Sequence, residues 1–151
     1  DSCSVNISVS LNTTSLDAYK ANLDKITLVV GKAAADVEAN AKDSIVTNSG
    51  QYREYRSGKD NEIVHWSSPP GSPPNSDTGN LANSINHSMM ASRAKGVTAL
   101  VKADAKYAVP LELGWTSKGG NTVPARPFMI PALMKVRPAF IRAMRAILRG
   151  Q

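Results

Sequence analysis

From Leu16 to Val46 the chain carries one uninterrupted apolar stripe. Leu16, Tyr19, Leu23, Ile26, Val30, Ala33, Val37, Ala41 and Ile45 recur at spacings of three and four. That spacing predicts a single long helix with one apolar side. Such a side has to be covered along its whole length, so further elements must lie against it. Thr14 and Asp17 stand at capping-box spacing before it, with Asp in place of the usual Glu or Gln. Gly31 weakens the helix locally, by about 1 kcal/mol relative to Ala. The Asn48-Ser49-Gly50 cluster ends it.

The covering elements read as short strands and a second helix. Val5, Ile7, Val9 and Leu11 alternate with polar residues, the pattern of a half-buried strand. Ile85–Ser92 and Val97–Ala103 flank Arg93-Ala94-Lys95-Gly96 and predict an antiparallel pair with a tight polar turn. Tyr52–Arg56 and Ile63–Trp66 surround a Gly-containing loop and predict a hairpin. It serves either as a protruding contact loop or as an ordinary hairpin with one face on the core. Two proline pairs stiffen the loop at 67–76, which excludes helix and central strand there. A connector is the simpler reading of it, a ligand for a proline-reading domain the other.

Asp77-Thr78-Gly79-Asn80 predicts a turn, with Thr78 or Asp77 capping a short helical turn that carries Leu81 and Ile85. Tyr107–Leu113 predicts a short helix with Pro110 in its first turn. Gly114 ends it in the manner of a helix C-cap. Residues 115–124, with Gly119-Gly120, predict a flexible loop. The closing helix spans Met129–Leu148. Pro131 suits its first turn, and Pro138 is expected to bend it. Leu133, Met134, Phe140, Ile141, Met144, Ile147 and Leu148 form its expected apolar face. Lys135, Arg142, Arg145 and Arg149 form a basic stripe roughly opposite. The whole is an α+β chain. A long N-terminal helix and a C-terminal helix pack on a small, mostly antiparallel β-sheet, in one domain over 1–151.

Charge is unevenly spread along the 151 residues, whose net charge is +6. From Arg93 onward eleven Lys/Arg stand against two acids, a net of +9; before it seven stand against ten, a net of −3. The basic stripe therefore expects polyanion or an acidic protein surface. Chemistry is poorly provided for. Cys3 is the only cysteine, so no internal disulfide forms, and His65 and His87 are the only histidines. No metal and no cofactor is expected from that inventory. There is no Gly-x-Ser-x-Gly elbow and no Gly-rich phosphate loop. An enzyme is not expected. No apolar run reaches the roughly 18 residues of a membrane helix. The N-terminal residues show no signal-peptide pattern, so an intracellular product is expected.

Three segments follow in order: Asp77-Thr78-Gly79-Asn80-Leu81-Ala82-Asn83-Ser84-Ile85, Tyr107-Ala108-Val109-Pro110-Leu111-Glu112-Leu113-Gly114, and Ala125-Arg126-Pro127-Phe128-Met129-Ile130-Pro131-Ala132-Leu133. Their order and spacing resemble the head–tail joining, or tail-completion, proteins of the tailed-bacteriophage neck. Trp115 stands where the family usually has Thr, and Asn80 where a basic residue is frequent. The resemblance implies a structural virion protein at the head–tail junction, made in the bacterial cytoplasm. It would be a homo-oligomeric ring, a hexamer being the candidate stoichiometry. Its partners would be other neck and tail proteins and the double-stranded DNA that passes through. Asp77, Thr78, Gly79, Leu81, Tyr107, Glu112, Gly114, Arg126, Pro127, Phe128 and Pro131 would be structural. Tyr107, Phe128 and Leu133 are expected as anchors, and Glu112 and Arg126 as a charge pair. The alternative is a free double-stranded nucleic-acid-binding protein that uses the basic helix.

Overall fold

The computed structural model of the protein describes the backbone of residues 3–9, 16–92 and 96–150, and the side chains of 22–90 and 96–150. The predicted long helix is α1 (Leu16–Val46), preceded by β1 (Cys3–Val9). The expected capping residue Thr14, the strand residue Leu11, the turn residues 93–95 and the side chain of Asp17 lie outside what is described. After α1 come β2 (Arg53–Arg56), β3 (Ile63–Ser67), α2 (Asn80–Ser84), β4 (Ile85–Ser92) and β5 (Gly96–Ala103). The chain closes with α3 (Ala108–Leu113), β6 (Trp115–Thr116), β7 (Thr122–Val123) and α4 (Met129–Leu148).

The main sheet has three antiparallel strands in the order β1-β5-β4. β5 sits at its centre, Val5 opposite Val101 on one side and His87 opposite Val101 on the other. Along β5 burial alternates, with Val97, Ala99, Val101 and Ala103 turned inward. A sheet with one covered face needs that period of two. Ile26, Val30, Val37 and Ile45 of α1 and Met129, Ala132 and Val136 of α4 complete the same core. Many of its members are alanines. Ala99 and Ala103 on the strand and Ala33, Ala34, Ala41 and Ala132 on the helices are all buried. Small side chains let helix and sheet backbones approach closely.

The register of α1 on β4 explains one polar pair and one close approach. Ile85, His87 and Met89 lie on one face of β4. Ile85 enters the core. His87 meets Glu38 of α1, Nδ1 to Oε2 at 2.5 Å. Met89 packs where Gly31 has no side chain, its Sδ 2.8 Å from the place a Cβ would take. The helix weakness expected at Gly31 is thus a point of close approach. Glu38 also accepts from Lys42 at 2.5 Å, which makes a three-residue brace between helix and strand.

Several elements differ from expectation. Residues 115–124 are not structureless. β6 and β7 pair antiparallel, Trp115 opposite Val123 and Thr116 opposite Thr122. Ser117 N–H donates to Asn121 O at 2.8 Å across the turn. The Pro-rich loop is fastened rather than merely stiff. Asn48 Nδ2 donates to Pro73 O, and Asn75 Nδ2 donates to Gly50 O at 2.6 Å and Trp66 O at 2.8 Å. Hairpin β2–β3 forms a separate two-stranded sheet, exposed along nearly all of β2. Gly114 is no ordinary helix C-cap. Its φ of 72° and ψ of 168° fall in a region open to little but glycine. A Cβ there would stand 2.9 Å from both Ala125 N and Val123 O.

Two predictions follow from this packing. Gly114→Ala should lower unfolding free energy by about 3 kcal/mol, from backbone strain and collision with backbone that cannot give way. Urea unfolding measures it, and near-neutral behaviour would contradict the geometry. The second concerns Glu38. Partial burial raises its pKa, but hydrogen bonds and charge from Lys42 and His87 outweigh this and hold it below the ordinary carboxylate value. A carboxyl lowered in the folded state stabilises above its unfolded pKa, and that stability is lost as pH falls through the lowered value. Wild type should exceed Glu38→Gln in stability at neutral pH by under about 1 kcal/mol. The difference should vanish below the carboxylate range. A gap that persists in acid would mean that charge is not its source.

Candidate functional site

The second and third motif segments meet around one carboxylate. α4 begins inside the protein, with Phe128 and Met129 fully buried. The first backbone N–H groups of a helix have no partner within it, and here those of Phe128 and Met129 are buried. Glu112 supplies the partners. It stands near the end of α3, 4% exposed. Its Oε2 accepts from Phe128 N at 2.8 Å and Met129 N at 3.0 Å, and its Oε1 from Ile130 N at 2.8 Å. The next residue is Pro131, which has no N–H. Every orphan donor at the start of α4 is therefore accounted for, and a negative charge sits at the positive end of the helix.

Glu112 and Arg126 do not pair. Among the described residues no ion pair joins them. Both oxygens of Glu112 are taken by the helix. The Arg126 guanidinium, 7% exposed, donates through Nε to Ser68 O at 3.0 Å and through Nη1 to Pro124 O at 3.3 Å. Its backbone N–H donates to Leu111 O at 2.6 Å. Arg126 thus ties the Pro-rich strap and the β7 end to α3. The expectation failed because the carboxylate lies at a buried helix start, where three backbone donors take both its oxygens.

The other motif residues divide. Leu81 is buried and Phe128 anchors α4, as expected. Tyr107 is not a buried anchor; it precedes α3 and is 46% exposed. Neither Asp77 nor Thr78 caps α2. The N-cap is Gly79, at φ 78°, with no side-chain bond. Asp77 lies instead 3.9 Å from His65 Nδ1. Pro127 is half-buried in the connection before α4, and Pro131 lies in its first turn, as read.

A cleft of about 450 Å³ opens between hairpin β2–β3, the 77–82 turn and α3. His65, Asn75, Asp77, Tyr107 and Arg126 are among its lining residues. In two of the lining residues a side-chain atom, Ser68 Oγ and Asn75 Oδ1, is buried with no hydrogen-bond partner among the described residues. Sequence reasoning passed over both residues as parts of a connector. A serine and an asparagine flanking two proline pairs were the available signal.

The outer face of α4 is the second feature. Its buried side is formed by Met129, Ala132, Val136 and Met144, with Leu133, Phe140 and Ile147 of the expected apolar face partly buried against the same core, so the covered side is rotated from the expected one but overlaps it. Met134 and Leu148, expected inside, are 55% exposed, and Ile130 is 50% exposed. Lys135, Arg142, Arg145 and Arg149 are exposed, as read, together with Arg137, which the reading omitted. None of the five forms an ion pair among the described residues. Pro138 lies within the helix without ending it. Met134, Arg137, Pro138, Ile141, Arg142 and Arg145 line a shallow groove along this face.

Among the described residues no three of His, Cys, Asp and Glu gather as a metal site. No described helix is long and apolar enough to cross a membrane. No family model matches the chain, and neither a curated protein nor a solved structure does.

The Glu112 cap is directly testable. Glu112→Gln should cost about 2 kcal/mol through loss of charge and of one acceptor oxygen. Glu112→Ala should cost more, since three buried donors are left without partners. Adding Arg126→Ala should deepen the loss. Recovery of stability in the double variant, read by urea unfolding, would instead show a charge pair.

Proposed function

We propose that the protein is a structural ring subunit at the head–tail junction of a tailed bacteriophage, a homo-oligomer that surrounds the DNA conduit. One observation supports this most. The second and third segments that carry the resemblance converge on a single structural joint, the Glu112 cap with Arg126 and Gly114, and the first lines a cleft with Arg126. That is the behaviour of motifs that hold a shape for assembly rather than perform a reaction. The five exposed cations of α4 fit the reading as well. In a ring a weak row becomes a positive annulus, and it need not read sequence, because phosphate contacts carry none directly. The rival partner for that row is an acidic surface on a neighbouring subunit. Exposed Met134 and Leu148 beside the cations favour it, since phosphate has no use for apolar surface.

The second reading is a free double-stranded DNA binder, favoured by the same unpaired cations. Two measurements separate the readings. Virions produced without the protein should show unjoined heads and tails by electron microscopy; intact infectious particles would end the ring reading. The purified monomer should bind a short duplex weakly, with a log–log salt slope no steeper than about −4.5 for five phosphate contacts. Tight binding by the monomer at physiological salt would favour the free DNA binder.

A further inference from the structure

We propose that the cleft beside hairpin β2–β3 is a binding site for a carboxylate carried on an apolar group, with Arg126 as its anchor. Arg126 is a buried cation without a counter-charge. Its side chain donates only to neutral carbonyls, those of Ser68 and Pro124. Among the described residues no acid lies within ion-pair distance of it. Glu112 is spent on the start of α4. Buried charges are costly to desolvate and are ordinarily paired. The guanidinium also has capacity left. Nε and Nη1 donate, but Nη2 has no partner among the described residues. Nη2 is nonetheless not sealed off, because the side-chain atoms both sealed and unpartnered are Ser68 Oγ and Asn75 Oδ1. It therefore keeps some accessible surface, and Arg126 lines the cleft. A planar donor fork, fixed by two carbonyls, thus has one donor nitrogen free beside a cavity of about 450 Å³.

The rest of the lining selects among anions. Ile45, Leu81, Leu111 and Val123 supply apolar wall, and Tyr55 and Tyr107, each roughly half-exposed, stand in it. A volume of this size encloses a bulky organic group, and a bare inorganic ion would leave the wall uncovered. Histidine aside, Arg126 is the one basic residue of the lining and Asp77 the one acid. A single guanidinium matches a singly charged carboxylate, whose two oxygens accept from a planar fork. A phosphate dianion asks for more positive charge than the lining holds. Asp77 does not cancel Arg126. Its side chain is 63% exposed and is screened by water, whereas a buried charge is screened much less. Two sources offer the same chemistry, a free organic acid and an Asp or Glu side chain set among apolar residues of another chain. The site does not depend on the ring reading, and each stands or falls on its own test.

The test uses the isotope-labelled full chain, followed by nuclear magnetic resonance. 3-Phenylpropionate should give saturable shifts at Thr78, Leu81, Leu111 and the Arg126 side chain. 3-Phenylpropionamide has the same shape and no charge. It should bind at least about tenfold more weakly, the effect of a hydrogen bond to a charged group. Acetate, which lacks the apolar body, should also bind more weakly. Thr78→Trp, at an exposed lining position, should block the acid. Arg126→Gln removes the charge and should abolish the preference for acid over amide. The acetylated, amidated tripeptide leucyl-aspartyl-leucine identifies the source. Tighter binding than that of 3-phenylpropionate would assign the site to a segment of another chain, and weaker binding to a free acid. Acid and amide binding alike, acetate matching 3-phenylpropionate, or no saturable shift in the cleft would each overturn the proposal. So would binding undiminished in a folded Thr78→Trp chain, or a preference unchanged in a folded Arg126→Gln chain.

Discussion

The fold depends on getting a helix started among buried residues. α4 must begin next to the sheet, because Phe128 and Met129 are core residues. Its first N–H groups are buried with them, and each unpaired buried donor is costly. One carboxylate on α3 answers three of them, and Pro131 removes the fourth. This fixes more than a local cap. It sets where α3 lies relative to the axis of α4, and hence how α4 meets α1 along the shared core. The stretch between the two helices must then double back tightly. Gly114 permits that reversal, with the backbone of 123–125 pressed against the place a side chain would fill. The bond from Arg126 N to Leu111 O closes the loop at its base.

What the sequence made legible is what depends on periodicity. α1 and α4 were readable because apolar residues repeat at three and four over many turns. β4 and β5 were readable because two apolar runs flank a Gly-containing turn. These signals are statements about one face of one element. The contacts that set the site are between elements, and no period encodes them. Glu112 read as a partner for Arg126 because opposite charges are the commonest company for a buried acid. That a helix start would lie nearer follows only from where α4 packs. The rotated face of α4 has the same origin. Met134 and Leu148 are as apolar as Val136 and Met144, and only the positions of α1 and the sheet decide which pair is covered. The short ladder β6–β7 was missed because two residues per strand are too few to show alternation.

Ser68 and Asn75 show a further limit. Pro-rich segments are expected on the surface, where water satisfies their polar groups. Here the strap is pulled inward by its asparagines and by Arg126, which seizes the Ser68 carbonyl. Buried polarity therefore arose from tethering, and it left two atoms without partners. Composition could mark the segment as stiff but not as interior.

The two exposed surfaces differ in kind, and the difference bears on how they would be used. The outer face of α4 carries charge of one sign and some apolar area, so it attracts at a distance and weakens with salt. The hairpin and cleft carry balanced charge, aromatic edges and unsatisfied buried atoms, so they act only on contact. A face of the first kind tolerates many partners, because a field has little geometry. A face of the second kind is selective, because shape and apolar fit have to match. In the proposed ring subunit, which would have both to admit DNA of any sequence and to join specific neighbours, unselective attraction and selective docking belong on separate elements. In this chain they are on separate elements, linked through α3, whose Leu111 lines the cleft and whose Glu112 caps the basic helix.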